Sequence, residues 1–194
     1  MLETALLLTA ANEGLELTRE EFGEAEFDSK FCFERVEGRL NVMAPSGWDH
    51  NVTVEPLRDY LGAYRLAHPK VVDHVFHESW TPVEDDTDRI ADIAVFLRQV
   101  PARTGRFPHW VPDIVFEIVS AGWENRRRDY EVKRDEYERI GVREYVIVDR
   151  FDHLVTVLTL TDGRYVEQRF GPNDSYTSPQ LPGLSIPLQD VIGA

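Results

Sequence analysis

The chain reads as an α/β domain built on a mixed central sheet. Two observations predict this: short apolar runs with strand character alternate with amphipathic helical segments, and several neighbouring runs are joined by hairpin signals. A third is length. With 194 residues the chain can bury a sizeable core as one unit, and no Ser- or Gly-rich linker or 20–45-residue repeat divides it. We therefore read residues 1–194 as a single domain with an N-terminal extension (1–16) and an extended C-terminal arm (172–194).

The expected order begins with the apolar stretch 4–11, part of a helix or an ordered tail and too short to span a bilayer. Glu3 stands where a secretory signal would carry basic residues. A helix follows, then a hairpin over 31–43, a helix around 52–66, and two or three strands between 71 and 97. Next come a strand from Ile114, a helix over 126–140 and a strand from Glu144. Two late strands, 153–160 and 164–170, flank Asp162-Gly163, a strong two-residue turn signal. The tail SPQLPGLSIP (178–187) is too rich in proline for regular structure. Its Leu181, Leu184 and Ile186 suit packing on the chain's own domain or clasping a second subunit.

The segment 112–149 carries the chemistry. Strand alternation in PDIVFEIVS (112–120) sets Asp113, Val115, Glu117 and Val119 on one face and Ile114, Phe116 and Ile118 on the other. A carboxylate inside such a strand needs a cation, a metal or a proton to offset its desolvation. In the next helix Asn125 suits the N-cap and Gly141 the stop. There Tyr130, Lys133, Tyr137 and Ile140 form one inward stripe. Lys133 either lays its stem on the core and reaches water or meets a buried acid. Upstream, RIADIAVFL (89–97) sets Asp92 in a second apolar run. Asp92, Glu117 and Lys133 suit a divalent metal held by carboxylates, with a lysine orienting water or stabilising phosphate charge. Single acids in strands equally serve as strand-end residues or partners of arginine.

These motifs, taken in order, resemble the Uma family of restriction-endonuclease-like proteins, which share the PD-(D/E)-x-K nuclease fold. The resemblance runs from Leu17 to Leu188 through LTREEF (17–22), FERVEGRL (33–40), MAPS (43–46), Asp49-His50, RIADIAV (89–95), PDIVFEIVS, RDYEVK (128–133), Tyr137 and GVREYVIVD (141–149). It implies metal-binding acids at Asp92 and Glu117 holding Mg²⁺ or Mn²⁺, and a lysine moved from the position of Val119 to Lys133. It also implies a place for His50 at the metal, at the substrate or as a capping or supporting residue. Asp113 is a third ligand or a hydrogen-bonding residue at the strand start. The chain departs from the family pattern at Ser120-Ala121, where Ser-Pro is usual, and at Tyr145-Val146, where Tyr-Trp is usual. Neither change removes a proposed catalytic group.

The leading expectation is thus a metal-dependent endonuclease cutting DNA, working as a homodimer in the cytoplasm, with no membrane segment and no organic cofactor. A non-catalytic dimeric protein that kept the fold, or a metal-dependent hydrolase of another phosphorylated substrate, are the alternatives. The net charge of −14 repels a polyanion, so DNA contact would rest on local arginines. Arg126, Arg127 and Arg128, with Arg103 and Arg106, are the candidates, against the plainer reading of a solvated helix start. Cys32 is the only cysteine, which excludes a disulfide framework and suits a reducing compartment.

Overall fold

The computed structural model describes residues 5–97 and 110–193. Arg103 and Arg106 lie outside the described residues. The chain starts with strand β1 (Leu7–Leu8) and a single 3₁₀ turn at Ala10–Asn12, not a helix. Thr9 and Asn12 bond reciprocally around that turn, and β1 pairs in parallel with β2 (Glu26–Phe27). Leu8 is fully buried and joins a core cluster with Leu17 and Phe22. Helix α1 (Arg19–Glu24) begins at Thr18, whose side chain accepts from the Glu21 amide while Glu21 accepts from the Thr18 amide. That is a capping box satisfying two otherwise orphaned donors.

Strands β3 (Cys32–Val36) and β4 (Arg39–Met43) form the expected hairpin across Glu37-Gly38, both at positive φ (51° and 75°). Helix α2 (Trp48–Ala67) starts four residues before position 52, with Gly47 as its N-cap and Asp49-His50 in its first turn. Strands β5 (His74–Glu84) and β6 (Thr87–Phe96) make one long hairpin, and β7 (Ile114–Ile118) follows. A continuous helical segment then runs through α3 (Trp123–Arg127), a π turn (Arg128–Val132) and α4 (Lys133–Arg139). It stops in a Schellman arrangement: Gly141 takes φ 83°, and the amides of Gly141 and Val142 bond to the carbonyls of Glu138 and Tyr137. Strands β8 (Glu144–Asp149), β9 (Leu154–Thr161) and β10 (Arg164–Phe170) complete the sheet. Short β11 (Ser175–Tyr176), β12 (Ile186–Pro187) and helix α5 (Gln189–Ile192) close the described chain.

The eight-stranded sheet has the order β10-β9-β8-β7-β6-β3-β4, with β5 on the other edge of β6. Among the described residues its one parallel pair is β7 with β8, joined by the α3–α4 segment. This is the mixed α/β sheet with antiparallel hairpins that the sequence predicts. One face buries Ile93, Val95, Ile114, Phe116 and Ile118 beneath Leu57 and Leu61 of α2. The opposite face buries Val115, Val119, Tyr145 and Ile147 beneath Tyr137.

The C-terminal arm is not extended away from the domain. Leu181, Leu184, Ile186 and Leu188 are buried in the α2-side core, and β11 pairs with β12. Buried Glu144 anchors the arm by accepting from the Tyr176 hydroxyl and, at 2.9 Å, from Ser178. Proline blocked a regular helix, but the apolar residues still found the nearest core.

Candidate active site

The site forms where the sheet forks. Strand β5 occupies one edge of β6 from Thr87 to Phe96, so β3 and β7 must share the other edge. The β3 ladder touches β6 at Arg35↔Asp88, while the β7 ladder ends at Ile93↔Phe116. Between them the β6 edge lacks a strand partner, and buried backbone groups there need other partners. Two carboxylates supply them. Glu34 accepts from the Ile90 amide at 2.8 Å, and Asp92 Oδ2 accepts from the Ile118 amide at 2.7 Å.

Extending the β6–β7 register by one residue sets Asp92 opposite Glu117 on the face toward α4. Both line one cleft of about 480 Å³ together with His50, Arg128 and Lys133. Glu117 is 3% exposed and Lys133 2%. The Lys133 ammonium lies 2.8 Å from Glu117 Oε1 and donates to the Ile90 carbonyl at 3.3 Å. The Tyr137 hydroxyl donates to the same Glu117 oxygen at 2.8 Å. Lys133 therefore does not run its stem out to water; it ends on the strand acid.

Several participants escaped the sequence reading. Asp129 is fully buried, four residues before Lys133, and its Oδ1 accepts from Arg128 at 3.2 Å. Its Oδ2 is buried with no hydrogen-bond partner among the described residues. The i,i+4 spacing from Asp129 to Lys133 was the available signal. Glu34 is 1% exposed and accepts from Arg89, which also forms a two-pronged pair with Glu136 at 2.7 and 2.8 Å. Glu78 takes φ 49°, unusual for a side chain with Cβ, and its residue lines the cleft where the β5–β6 register skips a pair beside Asp92.

The other expected residues divide. His50 Nε2 lies 3.3 Å from Asp92 Oδ1, so it supports that acid. Asp113 is not in the cleft: it bonds the Leu97 amide at 2.9 Å and lies 3.4 Å from Arg143. It stands at the far end of β7 from Glu117, with its carboxylate hydrogen-bonded at the strand start. Arg126 is held by Asp149 and Asp152, and Arg127 pairs with Glu131 along the exposed helix at 3.1 Å. Of the three arginines, Arg128 alone lines the cleft. Arg127 thus lies on the exposed face of the helix, and Arg126 ties the helix to Asp149 and Asp152.

The electrostatics follow from burial and a surplus of acid. Burial pushes Glu117 up to about 8, with Lys133 pulling against it and Asp92 and Asp129 adding to the rise. Burial also raises Asp129 against the pull of Lys133 and Arg128. Desolvation pulls Lys133 down, but Glu117, Glu34 and Asp129 outweigh it and hold the ammonium above the ordinary lysine value. Cys32, on the cleft wall, is pushed up first by burial and then by Glu78, Glu34 and Asp92. The cleft floor is a desolvated, electron-rich surface with one protonated lysine.

Among the described residues no three His, Cys, Asp or Glu side chains gather tightly enough to chelate an ion. The donor set still fits a hard divalent cation that keeps most of its water shell, since such ions commonly use one or two carboxylates. An added positive charge would offset the desolvation that raises Glu117.

No helix among the described residues is long and apolar enough to cross a membrane. A search of curated proteins returns no match. Among solved structures, one described as "a putative nuclease belonging to DUF820", from Anabaena variabilis ATCC 29413, superposes with a TM-score of 0.68 at 17% identity. The match covers 91% of this chain and 98% of that one, and at such identity it shows a shared fold. The Uma2 family, described as "putative restriction endonuclease", matches residues 19–189. That span takes in every residue of the forked-sheet cleft, and the chain belongs to the Uma2 family.

Proposed function

We propose that the protein is a Mg²⁺- or Mn²⁺-dependent nuclease that hydrolyses phosphodiester bonds at the forked-sheet cleft. The observation that carries this reading is the 2.8 Å contact of Lys133 with Glu117 beneath an open cleft that Asp92 shares. Asp92 and Glu117 would hold the cation, which supplies Lewis-acid activation and charge for the phosphoryl oxygens. The remaining work falls to the chain's own side chains. Tyr137 and the Ile90 carbonyl fix Glu117 and Lys133, so the ammonium is aimed before substrate arrives. Two of its three N–H groups face Glu117 and Ile90, leaving one to orient water or stabilise charge on a phosphate. His50 steadies Asp92, and Arg128 offers a guanidinium to a phosphate beside the reacting one.

The net charge of −14 favours a second reading, a hydrolase of small phosphoesters, which need no extended basic surface. One experiment separates the two. Single-stranded, linear and plasmid DNA and p-nitrophenyl phosphoesters are incubated with Mn²⁺, Mg²⁺ or EDTA. Wild type is compared with Asp92→Asn and Lys133→Met. Metal-dependent DNA cutting, reduced about 100-fold or more in both variants, is expected. Turnover of the small esters alone would replace the nuclease reading with the second one. Neither homodimerisation nor the cutting pattern is needed for this outcome; sedimentation of the active protein tests the dimer.

A further inference from the structure

Both helical segments beside the cleft open with the same pattern. Gly47-Trp48-Asp49 starts α2, and Gly122-Trp123-Glu124 starts α3. Each glycine is the N-cap, so no cap side chain covers the first turn, and each tryptophan projects into solvent. Trp48 is 81% exposed and Trp123 69%. Tryptophan normally removes most of its large apolar surface from water, so two open indoles at the starts of the two helical segments beside the cleft ask for an occupant.

The surroundings indicate which occupant. Trp48 lines a second groove of about 250 Å³ with Asp49, Ala121 and Arg150. That groove shares Gly47, His50 and Ser120 with the main cleft, so it continues from the site. Trp123 stands two residues beyond Ala121. The Arg150 guanidinium lies 4.3 Å from the Phe151 ring centroid and 3.6 Å from the Asp49 carboxylate. Its Nε is buried without a hydrogen-bond partner among the described residues. The core of a protein interface would set the indoles among apolar side chains, whereas beside Val119 and Ala121 this groove carries Asp49, His50, Ser120 and Arg150, a lining mixed enough for a phosphate-bearing chain.

We infer that this groove is a track for unpaired nucleic acid leading into the cleft. Bases stack on Trp48 and Trp123, and Arg150 meets a backbone phosphate. The inference rests on the nuclease reading and adds the substrate class to it. Stacking suits this protein because its net charge of −14 denies it the phosphate-driven affinity that holds a duplex. A duplex also hides its base faces, so the strand must be single, frayed or flipped out.

The test is binding of fluorescein-labelled oligothymidylate of about 12 nucleotides, against a duplex of equal length, by anisotropy. Glu117→Gln is the parent, in EDTA, so that cleavage cannot interfere. Trp48→Ala and Trp123→Ala should each weaken single-strand binding roughly tenfold, with Trp→Phe restoring most of it and duplex binding changing less. Parent-like binding by both alanine variants overturns the inference even if wild type cuts DNA. So does a parent that binds no oligonucleotide but sediments as a dimer dissolved by the same substitutions, which would make the indoles a self-association surface. If the alanine variants lose single-strand binding while wild type cuts nothing with any metal, the track stands and the nuclease reading falls.

Discussion

Glu117→Gln should make the metal-free protein more stable at alkaline pH while removing its activity. The carboxyl is 3% exposed, and its acidity is displaced from 4.5 to about 8, chiefly by burial. At about 1.4 kcal/mol per factor of ten in proton affinity, ionising it inside the fold costs about 5 kcal/mol relative to the unfolded chain. Because the folded value is raised, the folded state binds the proton more tightly. The stabilisation is fully present below 4.5 and is lost as pH rises through about 8. Glutamine keeps the shape and an acceptor for Lys133 and Tyr137 but never ionises. The pull of Lys133 is already contained in that displacement, and in the variant Lys133 keeps Asp129 and Glu34 beside it.

The expected result is near-equal stability of the two proteins at about pH 5 and a gap of roughly 3–5 kcal/mol favouring the variant at about pH 8.5. Urea unfolding in EDTA at several pH values measures it. Asp129 and Glu144 are also raised by burial, so wild type alone would not isolate Glu117; the difference between the proteins does. Saturating Mn²⁺ should narrow the gap, because a ligand at a hundred times its Kd adds about 2.7 kcal/mol to the state that binds it. A gap that stays constant with pH, or a wild type that is the more stable at alkaline pH without metal, would refute the reasoning.

Two further outcomes separate the site from its supports. Arg128→Ala should weaken substrate binding and also cost about 1–3 kcal/mol of stability, because fully buried Asp129 loses the hydrogen bond it accepts from Arg128, whereas Arg126→Ala should leave cleavage alone and lower stability by about 1 kcal/mol, as expected of a half-exposed tie to Asp149 and Asp152. Steady-state cleavage kinetics and thermal unfolding check both. Tyr176→Phe should cost about 1–3 kcal/mol by leaving buried Glu144 with Ser178 alone, and cleavage per folded molecule should not change.

The parts of the fold that were legible in the sequence are those set by local periodicity. The β7 alternation, the Asp162-Gly163 turn and the inward stripe through Lys133 each need only a few neighbouring residues, and each stands in the structure. The helix start was misread at Asn125 because Asn is a good cap. Its side chain instead donates to the Ala121 carbonyl at 2.7 Å from inside the first turn, and Gly122 at φ 102° makes the cap. For the arm, proline content reports on hydrogen bonding and leaves open whether Leu181, Leu184 and Ile186 pack on their own domain or on a second subunit; the structure buries them in their own domain.

The site was legible only in part for a related reason. Asp92, Glu117 and Lys133 announce themselves because each is a charge in an apolar setting along its own element. Glu34 and Asp129 do not, since their burial arises from a fork between strands far apart in sequence and from a π turn that a 3.6-residue period cannot reveal. The fork is what makes the chemistry available. A continuous ladder would have satisfied the amides of Ile90 and Ile118 with backbone carbonyls. Its loss draws in two carboxylates instead, leaves room for a cleft, and orients Asp92 from the same hydrogen bond that closes the end of β7. Asp92 is therefore a structural residue as well as a candidate ligand. Asp92→Asn, which retains an acceptor for the Ile118 amide, is the substitution that separates the two roles.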